Sequence, residues 1–163
     1  MNDISEVVRN LMSLATKKDI TISSAESCTG GLISKYLTDL SGSSKFFNSS
    51  VIAYSNTSKI KLLNVSKKTL KEQGAVSKEV AIEMAKGLLE ATNSTIAIAV
   101  TGIMELNKNE DNQKPTGVWI CWCCADQYKT LYRDLEGNRT ENRTETARLG
   151  ISGLYDFIKE IYF

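Results

Sequence analysis

Apolar positions recur along this chain with two different periods, and the changes between them outline its elements. Ile4, Val7, Val8, Leu11, Met12 and Ala15 return every three or four residues, the spacing of one helix face. A short apolar strand from Ile20 to Ser24 follows. After a small polar stretch, Leu32, Ile33, Tyr36, Leu37 and Leu40 carry a second helix, which Gly42 ends. Ser50-Val51-Ile52-Ala53-Tyr54 reads as a buried strand, and the side chains of Ser55 to Ser58 can cap a helix through Lys59 to Leu63. Ser66 and Ser77 are N-cap candidates for two more helices, the second with Val80, Ala81, Met84, Ala85, Leu88 and Leu89 on one face.

Thr95 to Val100 is continuously apolar, which implies burial on both faces, as in a helix-covered sheet, and Thr101-Gly102 ends it. A polar stretch from Glu105 to Lys114 is the longest loop candidate, closed by Pro115. Gly117 to Ala125 and Tyr128 to Leu135, separated by Asp126-Gln127, predict an antiparallel hairpin. Asn138 with Glu141 resembles a capping pair ahead of a last helix carrying Ala147, Ile151, Leu154, Tyr155, Ile158 and Ile161. The order of elements predicts one domain over residues 1–163. Its class is α/β, a three-layer α/β/α sandwich with a mixed, mostly parallel sheet.

In such folds ligands gather beyond the carboxyl ends of strands. Four stretches stand there: Ser24 to Gly31, Tyr54 to Lys59, Thr101-Gly102, and Leu135 to Arg139. The first is the most distinctive. Ser27-Cys28-Thr29-Gly30-Gly31 joins a strand to a helix, and its glycines allow positive φ while the helix N–H groups favour an anion, a phosphate or an oxyanion. The plainer reading is that Gly30 and Gly31 only close a tight connection.

Composition narrows the chemistry. The 163 residues are 42% hydrophobic, enough for a substantial core without disulfides or a structural metal. Twenty basic and nineteen acidic residues give a net charge of +1 and no basic stripe, which argues against a nucleic-acid partner. Lys67, Lys68 and Lys71 read as a solvated helix face. No stretch approaches a membrane span and the first residues lack a secretory pattern, so a cytoplasmic location is expected. The cysteines should then be reduced. Cys121, Cys123 and Cys124 lack zinc-site spacing and lie in a strand-like run, where they read as small buried hydrophobes. The chain contains no histidine, so any general base must be Lys, Tyr, Asp or Glu.

Five ordered blocks carry a resemblance: Ala25 to Gly31, Ala53-Tyr54-Ser55-Asn56 with Lys59, Gly74-Ala75-Val76-Ser77, Ala99-Val100-Thr101-Gly102-Ile103, and Lys114-Pro115-x-Gly117. In order and spacing they resemble the CinA C-terminal domain family, which includes stand-alone nicotinamide mononucleotide deamidases of the PncC type. The resemblance implies an amidohydrolase of pyridine-nucleotide recycling, releasing nicotinic acid mononucleotide and ammonia, with no cofactor and no metal. It implies catalysis by Ser27, Tyr54 and Lys59, and on family habit a homodimer.

Lys59, if desolvated, could take the proton of Ser27 directly or through Tyr54. N–H groups around Thr29, Gly30 and Gly31 would hold the oxyanion or the phosphate, with Cys28, Thr101 and Gly102 beside them. Arg139 and Arg143 match a family segment with paired arginines and are candidates for the phosphate; alternatively they pair with Glu141 and Glu145 along the helix. Cys28 is an alternative nucleophile if the helix N-terminus stabilises its thiolate.

After Ile103 the family's glycine-rich loop of the type Ala-Gly-Pro-Gly-Gly is replaced by Met104-Glu105-Leu106-Asn107-Lys108-Asn109-Glu110. The change puts a negative charge where an anionic nucleotide would lie. It also supports a second reading, a catalytically weak relative that binds a nucleotide or a partner protein.

Overall fold

The computed structural model describes residues 3–107, 109 and 115–163. Most of the polar stretch expected between Glu105 and Lys114, including Lys114 of the fifth block, lies outside the described residues. Among the described residues five strands form one sheet: β1 (Ile22–Glu26), β2 (Phe47–Ile52), β3 (Ile96–Ile103), β4 (Gly117–Cys123) and β5 (Tyr128–Asp134), in the order β2-β1-β3-β4-β5. β1 pairs in parallel with both β2 and β3, and β4 runs antiparallel to β3 and β5. The sheet is therefore mixed, with β4 the single reversed strand.

Helices α1 (Ile4–Lys17), α2 (Leu32–Thr38) and α6 (Arg139–Tyr162) cover one face, and α3 (Asn56–Leu63), α4 (Lys67–Gln73) and α5 (Lys78–Thr92) the other. Side-chain alternation along β3 explains the two layers. Ile96, Ile98 and Val100 fill the α1/α2/α6 side, while Ala97 and Ala99 face α5. The small residues let α5 approach, and Gly87 of α5 touches the chain at Leu63, where an added Cβ would lie 1.7 Å from the carbonyl oxygen. Cys121 and Cys123 belong to the same small-residue layer, and Cys124 to the opposite one; all are free thiols. Among the described residues no helix is long and apolar enough to cross a membrane.

The local signals set the helix starts. Ser66, Ser77 and Asn138 cap α4, α5 and α6, and Ser55 caps α3 in a reciprocal capping box with Ser58. Strand limits differ from expectation. β1 starts at Ile22 because Asp19 takes a left-handed turn (φ 51°) and Ile20 bonds back to Ala15. β2 lies earlier than the Ser50–Tyr54 reading. β3 does not end at Thr101-Gly102. Those residues continue it against Trp119 and Val118 of β4, three residues past the end of β1, and so overhang the carboxyl end of the parallel strands.

Candidate active site

Alternation along β1 sends neighbouring residues to opposite faces of the sheet. Ile22, Ser24 and Glu26 face α2. Ala25 packs in the α5 layer, and Ser27, continuing its parity, meets α3. Lys59, on the first turn of α3, points inward and is only 2% exposed. Its Nζ donates to Ser27 Oγ at 3.0 Å and to the Ala53 carbonyl at 2.9 Å. Burial pushes the lysine below its usual 10.5, against a lesser opposing influence from Cys28. A buried amine with a weakened hold on its proton, touching a serine hydroxyl, has the chemistry that a base and nucleophile pair requires in the absence of histidine.

Glu26, the residue before Ser27, is fully buried and is the anion that α2 receives. Its carboxylate accepts from Ser24 Oγ (3.2 Å), Thr29 Oγ1 (2.6 Å) and the N–H groups of Gly31 (3.0 Å), Ile33 (3.1 Å) and Ser34 (2.8 Å). Gly30 N–H donates to the Ser27 carbonyl at 3.1 Å. The expectation that Gly30 and Gly31 offer N–H groups to a ligand is therefore corrected: a carboxylate of the same segment already takes the helix end. The glycines keep their conformational role, with φ of 58° and 100°. Among the described residues no protein oxygen accepts the N–H of Cys28 or Thr29, and both lie beside Cys28 Sγ.

A cleft of about 280 Å³ opens over Ser27. Of the residues singled out in the sequence, Ser27, Cys28, Tyr54, Lys59, Thr101, Gly102 and Arg139 line it, and Thr29, Gly30, Gly31 and Arg143 do not. Asn56, Ala75, Val76, Ile103, Met104 and Glu105 complete the lining. Ala75 and Val76 belong to the third block, and Thr101 Oγ1 fixes that block by donating to the Ala75 carbonyl at 2.7 Å. Met104 is anchored to α6, where buried Asn142 Nδ2 donates to its carbonyl at 2.8 Å. Nothing in the residue pattern marked Asn142, which joins Met104, just past β3, to Gly137 ahead of its own helix. A larger hollow of about 360 Å³ between the end of β5 and α6 holds neither Ser27 nor Lys59.

The two arginines separate. Arg139 Nη2 donates to the Tyr54 hydroxyl at 2.9 Å in the cleft, whereas Arg143 Nη2 donates to the Thr29 carbonyl at 2.7 Å behind it. Neither makes the intrahelical pair considered from the sequence. Glu141 instead closes the capping box with Asn138, and Glu145 pairs with Arg148. Tyr54 is 59% exposed and bonds neither Ser27 nor Lys59, so the serine–lysine contact is direct rather than relayed. Burial pushes the Cys28 thiol up to about 12, with the charge of Glu26 adding to it against the local N–H groups. A helix-stabilised Cys28 thiolate does not fit that environment.

The chain matches the CinA C-terminal domain family over residues 4–158 and belongs to that family. A CinA-like protein of Endomicrobium trichonymphae is 52% identical over 152 residues, covering 92% of this chain and 35% of that protein. A putative competence-damage inducible protein of Halothermothrix orenii is 42% identical, covering 90% of this chain and 36% of that protein. The chain thus spans about a third of the length of these relatives. Among solved structures, competence damage-inducible protein A of Klebsiella pneumoniae superposes with a TM-score of 0.93 at 26% identity, covering 98% of this chain and 99% of that one. The competence/damage inducible protein CihA of Agrobacterium tumefaciens gives 0.87 at 33% identity, covering 96% of each.

Proposed function

We propose that this chain is a serine amidohydrolase that converts nicotinamide mononucleotide to nicotinic acid mononucleotide and ammonia. The observation that carries the reading is the 3.0 Å contact between Ser27 Oγ and the buried amine of Lys59. The substrate follows from the resemblance of the five sequence blocks, four of which line the cleft that holds that pair. Neutral Lys59 takes the Ser27 proton as Oγ attacks the carboxamide carbon. The oxyanion is held by the N–H group of Cys28, such a donor being worth about 3 kcal/mol in known oxyanion sites. Lys59 returns the proton to the amide nitrogen, the C–N bond breaks, and ammonia leaves an ester on Ser27. Lys59 then takes a proton from water as the hydroxide attacks the ester carbon, and gives that proton to Ser27 Oγ as the ester C–O bond breaks and the nicotinate product leaves.

Arg139 is the phosphate ligand in this reading, and Tyr54 holds its guanidinium at the cleft mouth. Arg143 positions the nucleophile turn through Thr29. The protein would act as a homodimer in the cytoplasm on a small nucleotide, with no membrane or nucleic-acid partner. Ammonia release from nicotinamide mononucleotide by the wild type, lost in Ser27→Ala, tests the proposal.

A further inference from the structure

The cleft combines charges that do not neutralise one another. Arg139 and Glu105 both line it, and no ion pair joins the two. Arg139 is engaged by the Tyr54 hydroxyl rather than by a carboxylate. A purely anionic ligand would leave the carboxylate opposed to it at a cost. A dipolar ligand would satisfy both signs. Nicotinamide mononucleotide is such a molecule, because the ribose bond on its ring nitrogen makes the pyridinium cationic while the far end carries phosphate.

We propose that Glu105 is a specificity-determining residue that selects a cationic pyridinium ring over a neutral one. The inference rests on the nucleotide reading above. Glu105 follows Met104, which Asn142 ties to α6, so its backbone is anchored at the cleft rim rather than on a free loop. A carboxylate near the ring and an arginine near the phosphate would orient the substrate so that one end alone, the carboxamide end, approaches Ser27. Because Glu105 is solvent-exposed, its attraction is screened and should fade as salt rises.

The test compares nicotinamide mononucleotide with its 1,4-dihydro form, which keeps the carboxamide and phosphate but has a neutral ring. The ratio of kcat/KM for the two is measured in wild type, Glu105→Gln and Glu105→Asp. Comparing ratios between variants cancels the different intrinsic reactivity of the two rings. The expected result is a roughly five-fold fall in preference for the cationic ring in Glu105→Gln at low salt, a smaller fall in Glu105→Asp, and convergence of the three proteins at 0.5 M salt, about the size of one exposed charge pair. An unchanged ratio, or a higher preference in Glu105→Gln, overturns the proposal while leaving the deamidase reading intact. If the wild type releases no ammonia, the same ratio is read from dissociation constants by calorimetry. A Glu105-dependent preference then upholds the proposal without the deamidase, and failure to bind either nucleotide overturns both.

Discussion

Lys59 Nζ lies 3.0 Å from Ser27 Oγ and 2.9 Å from the Ala53 carbonyl, so one amine ties the nucleophile turn to the end of β2 from inside the fold. Replacing Lys59 by Met should lower kcat/KM by about two to four orders of magnitude, the usual worth of a positioned general base. Stability should not fall with it, since the variant removes a buried amine at the cost of two hydrogen bonds. A large drop in the urea midpoint of Lys59→Met would count against this description.

The lowered lysine also sets the direction of the pH response. Below its folded pKa the amine is protonated and cannot take the serine proton, so activity should rise with pH and level off before the usual 10.5. In that window the unfolded chain holds a proton that the folded chain does not, so stability also rises with pH between the lowered value and 10.5. Thermal unfolding of wild type and Lys59→Met across this range should show the increment only in wild type.

Arg139 and Arg143 should fail differently. Arg139→Ala removes a group from the cleft and should raise KM for the nucleotide about ten-fold, the loss of one charge-assisted hydrogen bond. Arg143→Ala releases the Thr29 carbonyl and should act mainly on kcat and on the unfolding midpoint. Steady-state kinetics with thermal melts checks both, and identical profiles would remove the distinction.

Glu26 is the largest stability prediction. Glu26→Gln replaces an acceptor oxygen by a donor against three backbone N–H groups and two hydroxyls, and should cost about 3 kcal/mol in urea unfolding. Cys28, by contrast, should be silent as a nucleophile. With its thiol pushed up to about 12, it should resist aromatic disulfide reagents at pH 8 in the folded protein, followed by release of the coloured thiol.

What was legible in the sequence was local. Ser55, Ser66, Ser77 and Asn138 announce their helices because a cap acts within three residues. The continuous apolar run of β3 revealed a two-sided core for the same reason. The site needed tertiary facts. Lys59 reads as an ordinary surface lysine until α3 docks and the parity of β1 turns Ser27 toward it. The glycine turn read as an open anion site although Glu26 shares the parity of Ile22 and Ser24, which face α2; following that alternation two residues further would have found the carboxylate. Arg139 and Arg143, one helical turn apart, could not be separated without knowing that β2 delivers Tyr54 to one and the nucleophile turn presents Thr29 to the other.

Ammonia release from nicotinamide mononucleotide, compared between wild type and Ser27→Ala at equal folded concentration, tests the central claim most directly. The account predicts steady release and an equimolar nicotinate product from the wild type and neither above background from the variant. Equal release by the two proteins, or none from the wild type, would contradict it.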